Sequence, residues 1–201
     1  DGLPVKSNAL INSDGEDVNM NEIVERKFAG DVIDLKIWRN KEAIETNVTL
    51  KRFLPYLIAA RKYDEKPRYV MYAGLVFQPL DRNLMAAHNM KGLQVRYHFD
   101  SYVSADIYKE RPEVIVLTSI LPDSINSYFT QFSQSIVDKV NGIKVKNLTD
   151  VHKALSSNDA QYIVIKLLGN GRPIVIEKSK VKDAQQRIQT KYNIIKDHYL
   201  G

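Results

Sequence analysis

The sequence predicts an α+β fold: antiparallel strand pairs capped by helices, arranged as a partial module followed by a complete one. The first observation behind this is a recurrence, in which Asp1-Gly2-Leu3-Pro4-Val5 returns as Asn141-Gly142-Ile143-Lys144-Val145 and Asp34 to Glu42 returns as Val164 to Arg172. The second is a set of β-branched and aromatic runs separated by turn residues, and the third is a set of segments with apolar residues at helical spacing. The shift between copies is 140 residues at the turn and 130 at the strands, so the first copy carries ten extra residues between them. The stretch from about Tyr69 to Val140 has no counterpart before Asp1, and the chain is therefore expected to start in the middle of a domain.

In the first segment, Met20, Ile23, Val24 and Phe28 predict a helix over Val18 to Phe28, ended by Gly30. Strands follow at Val32 to Arg39 and Ala43 to Lys51, joined as a hairpin by Asn40-Lys41. Phe53 to Arg68, with Pro55, Pro67 and a charged middle, reads as an interdomain linker. The domains expected are thus 1–53, a linker at 54–68, and 69–201.

The second segment opens with the apolar run Tyr69 to Leu80, interrupted by Gly74 and Pro79. Arg82 to Met90 suits a short helix, while Lys91 to Pro112 is polar, aromatic and poorly periodic; 81–112 reads as an insert, irregular over its later part. Glu113 to Leu121 is a strand by its Val114, Ile115, Val116 and Ile120. Pro122 to Phe132 reads as a turn and short helix, and Ser135 to Val140 as a strand ending at Asn141-Gly142. Asn147 is placed to cap a helix from Leu148 to Ser156. Gln161 to Leu168 and Pro173 to Lys178 form a hairpin, and Val181 to Tyr199 is an amphipathic helix that requires an apolar surface to lie on.

At 201 residues and 44% hydrophobic content the chain can build two cores. It has no cysteine, which excludes disulfides, thiolate metal sites and cysteine nucleophiles. No apolar run approaches the roughly 18 residues of a membrane span. The net charge is +5, of which the stretch from Glu177 onward supplies +3. With Lys191 and Lys196 beside Tyr192 and Tyr199, that stretch reads as a solvated helix face or, alternatively, as a nucleic-acid-binding helix.

No Gly-x-Ser-x-Gly elbow, glycine-rich phosphate loop or His-Glu-x-x-His helix occurs, and His88, His98, His152 and His198 stand singly. Catalytic, metal and cofactor sites are therefore not expected in this stretch. Tyr72-Ala73-Gly74-Leu75-Val76-Phe77 carries a different chemistry. A small residue and a glycine at the entry of an apolar strand let backbone N–H groups converge on a peptide carboxylate, and the strand beside them can accept an extended peptide. The same residues also read as a strand with a glycine bulge.

Gly74-Leu75-Val76-Phe77-Gln78-Pro79-Leu80, then Val114 to Leu117 with Asp123 to Tyr128, then Lys139 to Leu148, resemble the second PDZ domain of Deg/HtrA-type serine proteases. The resemblance spans about Tyr69 to Tyr199, with Gln134-Ser135 where the family usually has Gly-Asp; residues 1–53 are similar to the closing half of the preceding PDZ domain. It implies a partly open antiparallel β-barrel or sandwich with capping helices. It also implies a chymotrypsin-like protease domain elsewhere, since the family's Gly-Asn-Ser-Gly-Gly block and its histidine and aspartate motifs have no match here.

Transferred residue by residue, the resemblance implies a carboxylate loop of Tyr72, Ala73, Gly74 and Leu75 and a groove strand of Val76 and Phe77. The groove helix would present Leu148, Val151, His152 and Leu155. Pro79 removes one donor from that strand, as it does in the family's second PDZ domains. Peptides or unfolded segments would be the partners, together with other subunits of a homo-oligomeric protease, and a bacterial member would lie in the periplasm or envelope. The alternative is an assembly module whose groove is occupied internally, by the insert or a neighbour's loop. On either reading the apolar faces of residues 1–53, including Ile37 and Trp38, are expected to pack on the second module or on another copy.

Overall fold

The structure, a computed structural model, describes residues 2–51, 54–156 and 160–201. The Asp1 turn position and the boundary at Phe53 lie outside the described residues. The chain divides into two compact units, Asp1–Leu54 and Pro55–Gly201.

In the first unit, β1 (Leu10–Ser13) and β2 (Glu16–Asn19) form a hairpin on Asp14-Gly15, whose φ angles are 56° and 90°. Two successive positive φ values match the right-handed strand twist, which is why such pairs make tight hairpins. Sequence reading missed this hairpin and extended the next helix too far: α1 covers only Asn21–Glu25, because Val18 is paired with Ile11 across the β1–β2 ladder. β3 (Val32–Arg39) and β4 (Glu42–Thr49) turn on Asn40-Lys41 as expected, at φ 53° and 65°. Their register pairs Ile33 with Val48 and Ile37 with Ile44, so period two gathers the apolar residues on one face. Among the described residues of this unit only Ile11 and Ile33 are buried hydrophobics.

In the second unit, Leu75–Pro79 and its neighbours build the sheet that positions the site. The apolar run expected from Tyr69 to Leu80 divides into β5 (Tyr69–Tyr72) and β6 (Leu75–Pro79). The insert is more regular than its composition indicates, comprising α2 (Arg82–Ala87), α3 (Leu93–Asp100) and α4 (Ile107–Glu110). Asp81 caps α2 by accepting from the Leu84 amide at 2.8 Å. Then come β7 (Ile115–Ile120), β8 (Ser135–Val140), β9 (Ile143–Lys144) and α5 (Leu148–Ser156). β10 (Tyr162–Leu167), β11 (Ile174–Glu177), α6 (Val181–Tyr192) and β12 (His198–Tyr199) close the unit.

The sheet runs β11-β10-β8-β7-β6-β5-β12, all pairs antiparallel, with β9 against β8. β11 and β12 stand at its ends, so the barrel is open and the fold is α+β, as expected. Both faces of its centre are buried. Ile115 and Leu117 enter one apolar cluster with α5, while Val114 and Val116 enter a second, with Leu84 and Val95 of the insert. Two buried faces explain why β7 reads as a continuous apolar run rather than an alternating one. The helix expected to reach Tyr199 stops at Tyr192, because Asn193 adopts a left-handed φ of 52° and the Ile194 amide turns back to the Gln189 carbonyl at 2.9 Å.

Candidate functional site

The predicted carboxylate loop is a two-residue hairpin turn between β5 and β6. Ala73 and Gly74 sit at φ 50° and 80°, and Leu75 pairs with Tyr72. Three neighbours hold the turn. The Gln185 side chain of α6 accepts from the Ala73 amide at 2.9 Å, and the buried Asn126 amide donates to Ala73 O and Leu121 O, each at 2.8 Å. The Leu121 amide donates to Gly74 O at 2.8 Å. A Cβ on Gly74 would lie 2.5 Å from Asn126 Nδ2 and 2.6 Å from Leu121 O, so glycine is required by space as well as by φ. The Ala73 N–H is already taken by Gln185 and is therefore not free for a peptide carboxylate.

β6, the strand expected to line a groove, has no free edge. β6 pairs on one side with β7 and on the other with β5, in the register Val70–Phe77, Met71–Val76 and Tyr72–Leu75. β5 runs antiparallel to β6 with its Tyr72 end at the turn, so the backbone groups that strand addition would use on this edge are already paired. α5 packs over both strands. Ala73, Leu75, Phe77, Leu148, Val151 and Leu155 lie together in the main apolar cluster, with Val70 of β5 among them. Tyr72 packs against that cluster half-buried, and burial pushes its phenol up. Pro79 pairs with Ile115 at the far end of β6, beyond the last residue that β5 covers, so its missing donor leaves the β5–β6 pairing untouched.

α5 is set by its first turn. Asn147 Oδ1 accepts from the Asp150 amide and Asp150 accepts from the Lys146 amide, each at 2.9 Å. Glu113, held by Arg68 at 2.5 Å, accepts from the Leu148 amide at 2.9 Å, which places a carboxylate at the positive end of the helix. His152 stands at the surface of α5, its ring 4.3 Å from that of His198 in β12. Asp123 and Arg187 pair at 2.8 Å beside the turn; the Arg187 guanidinium, against the opposing effect of burial, holds the Asp123 carboxyl down at about 2. Among the described residues, no group of three or more His, Cys, Asp or Glu could hold a metal ion, and no helix is long and apolar enough to cross a membrane.

Sequence reading missed Gln185, Asn126 and the role of β5. Ala-Gly is a weak hairpin signal because alanine resists positive φ, so the turn reads as a bulge until Asn126 and Gln185 are seen to hold it.

An antiparallel strand pair joined by a glycine turn, with a helix packed over both strands, is the arrangement expected of a PDZ-type module. The family model described as PDZ domain matches residues 58–199, and the chain belongs to that family. Along most of its length the chain is similar to proteases of the Deg/HtrA group. A "Serine protease DegP homolog" of Plasmodium falciparum is 26% identical, with 100% of this chain and 26% of that protein covered. "Putative protease Do-like 12, mitochondrial" of Arabidopsis thaliana is 27% identical over 96% of this chain and 34% of its own length. "Putative protease Do-like 3, mitochondrial" of the same plant is 28% identical over 76% of this chain and 26% of its own length. The chain therefore spans about a quarter to a third of these relatives.

Proposed function

We propose that the chain is the non-catalytic PDZ region of a Deg/HtrA-type serine endopeptidase, a regulatory and assembly module whose peptide groove is filled by its own β5. The observation that carries this is the double pairing of β6, with β5 on one edge and β7 on the other. Strand addition needs unpaired N–H and C=O groups, and displacing β5 would bring out Val70 and Met71, each 3% exposed. At about 1.5–3 kcal/mol per fully buried side chain, that cost exceeds what a short peptide returns by restoring the same backbone bonds. Substrate peptides would then act on this region elsewhere than at β6. The first unit is read as the closing half of a preceding PDZ domain, supported by its Asn40-Lys41 hairpin and one-sided apolar pattern.

Calorimetric titration with peptides ending in apolar residues tests the reading. No exchange of β5 for peptide is expected, and the Phe77 amide should keep its hydrogen-exchange protection at saturating peptide. Saturable binding that strips protection from Phe77 would show an open groove and overturn it.

A further inference from the structure

With β6 closed, the outer edge of the sheet beside α5 is that of β5, and the chain covers it lightly. β12 has two residues, His198 and Tyr199, which pair with Val70 and Tyr69, and both are exposed. A left-handed Asn193 separates this segment from α6, and Ile195 between them is 91% exposed. The bonds that hold the segment are made mostly to its backbone. The Met71 amide donates to Asp197 O at 2.6 Å, Arg68 Nε to Leu200 O at 2.7 Å and the Tyr69 hydroxyl to Lys196 O at 2.8 Å.

Two of those donors are side chains aimed at main-chain carbonyls, a reading of an extended strand that is indifferent to its sequence. Sequence enters at two places. The His198 ring stacks on His152 of α5 with 31° between the planes, and Leu200 packs against the main apolar cluster. Residues two apart on a strand share a face, so one face carries both.

We propose that this edge of β5 is a peptide-binding site guarded by the chain's own Lys196–Leu200. Its ligand is an extended peptide with an imidazole or aromatic residue followed, two positions on, by an aliphatic one. The peptide displaces β12 and supplies the three carbonyls to Met71, Arg68 and Tyr69. The inference rests on the reading that β5 fills the groove and names the place that reading leaves for a peptide. Exchange at this edge leaves the β5–β6 pairing whole, whereas exchange at β6 would break it. A two-residue strand opens far more readily than one inside a sheet. An internal segment that occupies a site lowers apparent affinity by the fraction of time it is docked.

The probe is a fluorescent peptide of sequence Lys-Asp-His-Tyr-Leu-Gly, titrated by anisotropy into the wild-type chain and into Leu200→Asp, which weakens the internal copy. The variant should bind about ten-fold more tightly than wild type. A peptide with Asp in place of its Leu should bind neither. A second measurement needs no variant: in the unmodified chain the Met71 amide should exchange faster than that of Phe77, and excess peptide should slow it. Absence of binding to Leu200→Asp, equal affinity for both peptides, or Met71 protection equal to that of Phe77 would overturn the proposal. So would a doubled mass in light scattering that peptide does not compete, since the occupant would then be a second copy. Loss of protection at Phe77 reports instead on the closed groove, which keeps the two failures distinct.

Discussion

Gly74 is the residue on which the β5–β6 turn depends. Its φ of 80° and the closeness of Leu121 O and Asn126 mean that even one methyl group strains the backbone and pushes against a backbone carbonyl. Gly74→Ala should cost at least about 2 kcal/mol in urea denaturation, and Asn126→Ala a similar amount by removing the buried donor to Ala73 O and Leu121 O. Asp123 supplies a pH dependence of definite sign. Its folded pKa lies at about 2 against 3.8 for the free side chain, so its stabilising effect is complete above pH 3.8 and is lost as pH falls toward 2. The stability difference between wild type and Asp123→Asn should therefore shrink over that interval in denaturant titrations. Gly74 was legible in the sequence as a special position. The reason it is special was not, because Asn126 and Gln185 are 52 and 111 residues away and no local pattern links them to the turn.

At the scale of elements, α5 was readable from end to end. Asn147 caps it, Leu148, Val151 and Leu155 lie on its buried face, and the helix ends at Ser156. Local chemistry and tertiary packing agree there, and the two contributions can be separated by mutation. Asn147→Ala should cost about 1 kcal/mol, and Leu148→Ala about 2–5 kcal/mol, a ranking that equilibrium unfolding of the two variants checks. α3 and α4 were not legible because short, polar helices carry little periodicity. They are held by Val95 and Tyr102 against Val114 and Val116 of the sheet. The Tyr102 hydroxyl, donating to Pro112 O, is pushed up to about 12 by burial and then by nearby Glu113. β12 escaped detection for a related reason: a two-residue strand exists only by virtue of the edge it pairs with.

For the whole molecule, the two units differ in what sustains them. The second holds two apolar clusters, one on each face of its sheet, whereas the first buries only Ile11 and Ile33 among its described hydrophobics. Phe28 and Trp38 are 81% and 74% exposed. Small buried area leaves little to offset chain entropy, so local opening is cheap. Amides of β3 and β4 should exchange at least about a hundred-fold faster than those of β7 and β8, as read by hydrogen-exchange mass spectrometry.

The sequence by itself determined the class of fold, the family and the order of most strands and helices. Fold class and element order follow from turn residues, apolar periodicity and caps, which act over a few residues, and the family from the resemblance of three sequence blocks. Only the tertiary structure decided that β5 lies along β6, that Asn126 and Gln185 secure the turn between them, and that the edge left for β12 is that of β5. Each of these depends on which backbone groups find partners across the sheet. A strand's two edges are the same chain of N–H and C=O groups, and nothing in a side-chain pattern says which edge a distant segment will take.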